Sequence, residues 1–215
     1  MFVPRKEESD TMAQYGFYFN GQRCTGCKTC VLACKDCKDL TPEISYRNVY
    51  ECGGGSWTKA EDGTWSNTVF AYPISIACNH CDNPMCFGAC PQGAIAKDPE
   101  PGLVVIDEET CIGCGACAEA CPYQAPKHNE EKNTYEKCDG CAERVAEGKM
   151  PVCVEACPLR ALEFGPIDEL RAAHGDLAVV APLADPSISS PNLVITPSDK
   201  AASGEGTVLN SREIA

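Results

Sequence analysis

The sequence predicts an α+β fold of two small cysteine-rich modules, one inserted in the other, with a β-hairpin insertion and an extended C-terminal tail. Three observations predict it. Eighteen of the 215 residues are cysteine and only 7% are aromatic, so coordination must supply cohesion that ordinary packing lacks. Sixteen of the cysteines fall into four tetrads, three compact and the fourth split by an eleven-residue gap. A short exit from three of those tetrads recurs as CPQGAI, CPYQAP and CPLRAL, which marks a duplicated unit.

Each element follows in order. Residues 1–12 read as a flexible N-terminal extension, with Met12 as an alternative start. The β-prone YGFYF (15–19) leads into the first tetrad, Cys24, Cys27, Cys30 and Cys34. Lys35 stands where the other tetrads carry proline, which weakens the helix stop there. Across 46–73, GGG and EDG punctuate β-prone runs holding Trp57, Trp65, Val69, Phe70 and Tyr72, so a hairpin is expected. Its aromatics are read as a satellite core rather than a docking surface.

The second tetrad is Cys78, Cys81, Cys86 and Cys90, and the third is Cys111, Cys114, Cys117 and Cys121. The hairpin-like AIAKDPEPGLVVID joins them into one module, 74–127. The fourth tetrad, Cys138, Cys141, Cys153 and Cys157, must then close with the first as the outer module, 13–45 plus 128–181. Pro91, Pro122 and Pro158 disfavour helix in the residue before them and stop each short turn at Cys90, Cys121 and Cys157. PIDELRAAHG (166–175) has an acidic start, a basic end and a glycine stop, the punctuation of a helix. Residues 182–215 are rich in Pro, Ser and Gly with one apolar run, NLVIT. Such a tail has little to bury against itself and is expected to lie loose or over a partner.

The chemistry is narrower than the fold. Two strict C-x2-C-x2-C-x3-C matches occur, where about 0.01 would arise by chance at this cysteine frequency. Disulfides suit small secreted chains. Structural zinc takes two C-x2-C pairs per ion and could account for the fourth tetrad alone. Three cysteines within seven residues over-supply half a zinc site. Iron–sulfur ligation explains the whole pattern: three thiolates of one loop wrap a cubane, and the cysteine three residues on serves its neighbour. The modules are therefore read as bacterial two-cluster ferredoxin-like units. Gly26, Gly113 and Gly115 let backbone N–H groups approach the inorganic sulfides.

Other signals are weighed alongside. A Rieske centre needs two histidines in place of two cysteines. His80 instead sits inside a complete tetrad and reads as a hydrogen-bond donor to a ligand, with His128 and His174 as surface or cap residues. Cys37 and Cys52 read as free buried or half-buried thiols. Arg23, Lys28 and Arg160 are candidates to tune cluster potential. A formal charge of −13 disfavours nucleic acid and anionic lipid as partners. The longest apolar stretch, 177–183, is far short of a membrane span, and no apolar signal core opens the chain. No phosphate loop or nucleophile–base pair stands out, so no catalytic residue is expected.

From Tyr15 to about Pro197 the chain resembles the iron–sulfur subunits of the dimethyl sulfoxide reductase family of molybdopterin enzymes. The resemblance rests on YGFYFNGQRCTGCKTCVLACKDCKDLTPEISYRNVYE, on the second tetrad's flank, and on EKCDGCAERVAEGKMPVCVEACPLRALEFGPIDELRAAHG. It implies four 4Fe-4S clusters relaying electrons between a quinol-oxidising membrane anchor subunit and a molybdopterin catalytic subunit in anaerobic respiration. Carried over by position, one cluster takes Cys24, Cys27, Cys30 and Cys157, and its module-mate Cys34, Cys138, Cys141 and Cys153. In the inserted module one takes Cys78, Cys81, Cys86 and Cys121, the other Cys90, Cys111, Cys114 and Cys117. The resemblance puts the last of these nearest the membrane subunit and the first nearest the catalytic one. It also implies a peripheral position on the cytoplasmic membrane, on the periplasmic face if the chain is exported with its partner. Thiosulfate, polysulfide and tetrathionate reductases and formate dehydrogenase share the tetrads, and a free polyferredoxin or a zinc module are the alternatives outside that class.

Overall fold

Every residue of YGFYF is apolar or glycine, so a strand made from it needs cover on both faces. The computed structural model, which describes residues 13–201 and 206–214, supplies that cover. The extension over 1–12 lies outside the described residues. Strand β1 (Tyr15–Asn20) is followed by α1 (Thr29–Cys37), then β2 (Asn48–Gly54), β3 (Trp57–Lys59), β4 (Trp65–Asn67) and β5 (Phe70–Ile76). The middle holds α2 (Met85–Ala89), β6 (Ile95–Lys97), β7 (Val104–Ile106), α3 (Ala116–Ala120), β8 (Lys127–Asn129) and β9 (Thr134–Glu136). The chain closes with α4 (Ala142–Ala146), α5 (Val152–Glu155), β10 (Leu162–Pro166), α6 (Ile167–His174), β11 (Leu193–Thr196) and β12 (Thr207–Val208), the fold being α+β.

Two three-stranded sheets enclose the main core. In the first, β1 lies between antiparallel β10 and parallel β11; in the second, β2 lies between β5 and β12. Phe17 and Phe19 point from β1 into a core with Val49, Tyr72, Ile74, Leu162 and Ile195. Tyr18, between them, points the other way towards α6, where Ile167 and Leu170, with Val194 of β11, bury it. This alternation is the period-two geometry of a strand. Small hairpins β6–β7 and β8–β9 carry the remaining loops.

The short helices end where the prolines require. Cys90 and Cys121 are the extended residues that close α2 and α3. Helix α1 has no such stop: with Lys35 in place of proline it runs on through Cys34 to Cys37. Lys35 then donates to the carbonyls of Thr41, Pro42 and Ile44, pinning the following loop.

Three expectations need correction. Over its described residues the tail is not loose: β11 pairs with β1 from Phe17↔Leu193 to Asn20↔Thr196, and β12 pairs with β2. Leu193, Val194 and Ile195 are at most 3% exposed. Each such side chain contributes roughly 1.5–3 kcal/mol on burial, enough to offset about 1–2 kcal/mol of backbone ordering per residue. The hairpin over 46–73 forms, but its aromatics are not one satellite core. Tyr72 joins the main core, whereas Trp57 and Trp65 are about 60% exposed at the β3–β4 tip. Of the two surplus thiols, Cys52 is buried in β2 and Cys37 is exposed at the end of α1.

Candidate metal centres

The tetrad loops share one backbone device. The residue two after the first cysteine is left-handed in all four: Gly26 (φ 72°), His80 (44°), Gly113 (68°) and Gly140 (69°). The chain must curl tightly enough to aim neighbouring sulfurs at one point, and glycine does so at no steric cost. The exits repeat as well. In CPQGA, CPYQA and CPLRA the alanine N–H reaches back to the cysteine sulfur, Ala94 to Cys90 at 3.3 Å, Ala125 to Cys121 at 3.5 Å and Ala161 to Cys157 at 3.3 Å.

These loops bring the sixteen cysteines into four groups, each joining sulfurs of two tetrads. Cys24, Cys27, Cys30 and Cys157 line a cavity with Phe19, Val49 and Ser75. Cys78, Cys81, Cys86 and Cys121 line another with Tyr123, Lys137 and Ser189. Cys90, Cys111, Cys114 and Cys117 line a third under Tyr135. Cys34, Cys138, Cys141 and Cys153 are all at most 7% exposed and act on one another's thiols.

The residues fit an iron–sulfur cube better than a single ion. Four sulfurs bonded to one Zn²⁺ stand ~3.8 Å apart, set by bonds of about 2.3 Å. Among the described residues no three Cys, His, Asp or Glu side chains close on a single ion. Three cavities with one repeated lining, three cysteines of one tetrad and a fourth from another, instead suit copies of one shared group. Buried polar atoms with no ordinary hydrogen-bond partner lie beside the cysteine groups: Arg47 Nε and Nη2 near Cys153 and Cys30, and Asn79 Nδ2 next to Cys78. Burial pushes the thiols of Cys24, Cys81 and Cys117 up to about 11, and those of Cys34 and Cys86 to about 12. A coordinated thiol is deprotonated outright, so a cationic metal supplies the charge that this apolar setting withholds.

The groups follow one another by contact: Cys30 acts on Cys153, Cys138 on Cys78, and Cys90 and Cys121 exchange places between the groups of the second and third tetrads. Cys34, Cys138, Cys141 and Cys153 are buried, and none of Cys78, Cys81, Cys86 and Cys121 is exposed. The first and last groups each show one exposed cysteine, Cys27 and Cys114. His80 Nε2 lies 4.0 Å from Cys138 Sγ.

His80 is fully buried; its Nδ1 accepts the Val104 N–H at 3.0 Å, so the proton sits on Nε2, facing Cys138 Sγ. Burial, aided by Lys137, holds it well below the ordinary histidine range. His174 stacks on Tyr18 and contacts Glu163 at 3.0 Å beside the end of α6, and His128 is exposed on β8. Arg23 is exposed, and Arg160 Nη1 binds the carbonyls of Glu155 and Cys157. Lys28 Nζ lies 2.8 Å from Glu51 and 2.5 Å from Glu213.

Sequence reasoning missed two contributors. Arg47 is buried against the first two groups, with no local signal beyond its charge in a β-prone run. The tail supplies Ser189, 3.4 Å from Cys81, and Asn192, which donates to His80 O and Asp82 Oδ1. Their signal was the NLVIT run, which Asn192 opens and Ser189 shortly precedes.

Fold and sites define a ferredoxin-type iron–sulfur electron-transfer subunit. Residues 69–167 match the 4Fe-4S dicluster domain and residues 22–40 a 4Fe-4S binding domain. The chain is 57% identical over 204 residues to the B subunit of anaerobic dimethyl sulfoxide reductase from Escherichia coli K12, covering 94% of this chain and 98% of that protein. Its counterpart in Haemophilus influenzae is 52% identical, covering 94% and 100%. A thiosulfate reductase electron transfer subunit of Salmonella typhi is 36% identical, covering 73% and 78%. The chain belongs to the family of dimethyl sulfoxide reductase B subunits.

Proposed function

We propose that this chain relays electrons through four 4Fe-4S clusters, held by the sixteen cysteines in the four groups described, from a quinol-oxidising membrane subunit to a molybdopterin catalytic subunit. The chain itself performs no bond chemistry in this reading. The observation that carries it is the pattern of exposure: a row of four thiol groups shielded at its middle and open at each end. A relay needs that arrangement, because electrons must enter and leave at the ends while water is kept from the clusters between. Electrons enter near Cys114 and leave near Cys27. The catalytic partner is of the dimethyl sulfoxide reductase type rather than the thiosulfate type, in line with 57% against 36% identity. Among the described residues no helix is long and apolar enough to cross a membrane. The chain therefore docks peripherally on its membrane partner, and the side follows the catalytic subunit.

Each cluster carries about −2 with its thiolates and adds to a formal charge of −13, which favours low potentials suited to anaerobic respiration. Purification of the tagged chain from cells grown without oxygen tests the reading. A brown complex holding molybdenum, and reduced by a quinol analogue in membranes, is expected. A chain that purifies alone, or colourless with zinc, overturns it.

A further inference from the structure

Arg47 is the most deeply buried cation in the described chain, 2% exposed, and lies between two of the thiol groups. Its Nη1 donates to Ser75 Oγ at 3.2 Å, and that oxygen stands 3.4 Å from Cys30 Sγ. Its guanidinium carbon lies 4.8 Å over the Phe17 ring. Nε and Nη2 have no partner of ordinary hydrogen-bond geometry, and the guanidinium faces the sulfur of Cys153. A buried donor left unpaired costs about 1–3 kcal/mol, more when charged, so two on one side chain call for a missing acceptor. Burial pulls the guanidinium towards neutrality, but Cys153, Cys30 and Cys138 hold it charged, above the ordinary arginine range. Those cysteines belong to two groups, Cys30 to the first and Cys153 and Cys138 to the second. Lys137, the other buried cation, differs: its ammonium already donates to the carbonyls of Val104 and Cys138.

We propose that Arg47 is a fixed positive charge shared by the two clusters of the outer module, its Nε–H and Nη2–H groups donating to their sulfur atoms. Arginine stays protonated throughout the working range, so the charge does not titrate away. Reduction adds one negative charge to a cluster, and a buried cation stabilises the reduced form more than the oxidised one. Arg47 therefore raises the potentials of these two clusters, which favours electron flow towards the exposed Cys27.

The proposal rests on the four-cluster reading and is tested separately from it. EPR-monitored redox titration of the iron-loaded full-length chain is run on native, Arg47→Gln and Arg47→Lys proteins, with iron counted in each. In Arg47→Gln, two of the four steps should fall by at least tenfold in the reduction equilibrium, about 59 mV for one electron. The other two should hold, and Arg47→Lys should restore most of the shift. Four unmoved steps, four equal shifts, or a Lys variant no better than Gln would each overturn the proposal. So would loss of iron in both variants, which would make Arg47 a structural residue. Too little iron in the native chain would instead overturn the four-cluster reading, and this proposal with it.

Discussion

The Nε2 of His80 stands 4.0 Å from the sulfur of Cys138, a residue 58 positions further along the chain. The Val104 N–H on Nδ1 sets the tautomer that makes this contact a donor. The other three tetrads place glycine at this left-handed position, where a residue with a Cβ costs roughly 1–2 kcal/mol. The ring offsets that cost by linking the inserted and outer parts of the chain. His80→Phe keeps the ring and removes both nitrogens, leaving the Val104 N–H without a partner. Urea unfolding of the loaded protein should show a loss of about 1–3 kcal/mol. A loss below about 0.5 kcal/mol would mean the bond is not made, given what an ordinary hydrogen bond contributes.

A Cβ added at Gly16 would meet the backbone oxygen of Asn192 at 2.4 Å and Ile167 Cδ1 at 2.6 Å. Gly16→Ala must then push β11 away from β1, an overpacking cost of about 1–3 kcal/mol. The tail also holds the second tetrad through Asn192 and Ser189, so iron release to a chelator should quicken. Unchanged stability and release would contradict the placement of 189–196 in the core.

The loops and their exits were legible because their geometry is local: cysteine spacing, the proline stop and the alanine N–H all lie within a few residues. The hairpin at 46–73 was legible for the same reason, through GGG and EDG. What composition hid was long-range. NLVIT finds its partner strand more than 170 residues upstream, and nothing in so short an apolar run specifies a parallel pairing at that separation. Trp57 and Trp65 look like core residues by type, yet the β3–β4 tip extends past any surface that could cover them. Arg47 carries no local signal in the sequence. Only the assembled fold puts it against two thiol groups at once.

The far end of the tail clasps the first tetrad through Glu213 and Lys28, 2.5 Å apart. Lys28 first, then Asn210, holds the Glu213 carboxyl below its ordinary range. A depressed folded value means the clasp is complete above the unfolded value near 4.5 and is lost as pH falls through the lower folded one. Hydrogen exchange across 206–214 should therefore show protection that holds from neutral pH down to about 4.5 and fades below it. Glu213→Gln should reproduce the acid behaviour at pH 7. Equal protection in the variant and the native chain at pH 7 would show that the ion pair does not hold the tail.

The most direct measurement is an iron and acid-labile sulfide assay on the anaerobically loaded full-length chain, combined with Mössbauer spectroscopy. The account predicts about sixteen irons and about sixteen sulfides per chain, all in 4Fe-4S form. Eight irons or fewer, or zinc held in their place, would contradict it.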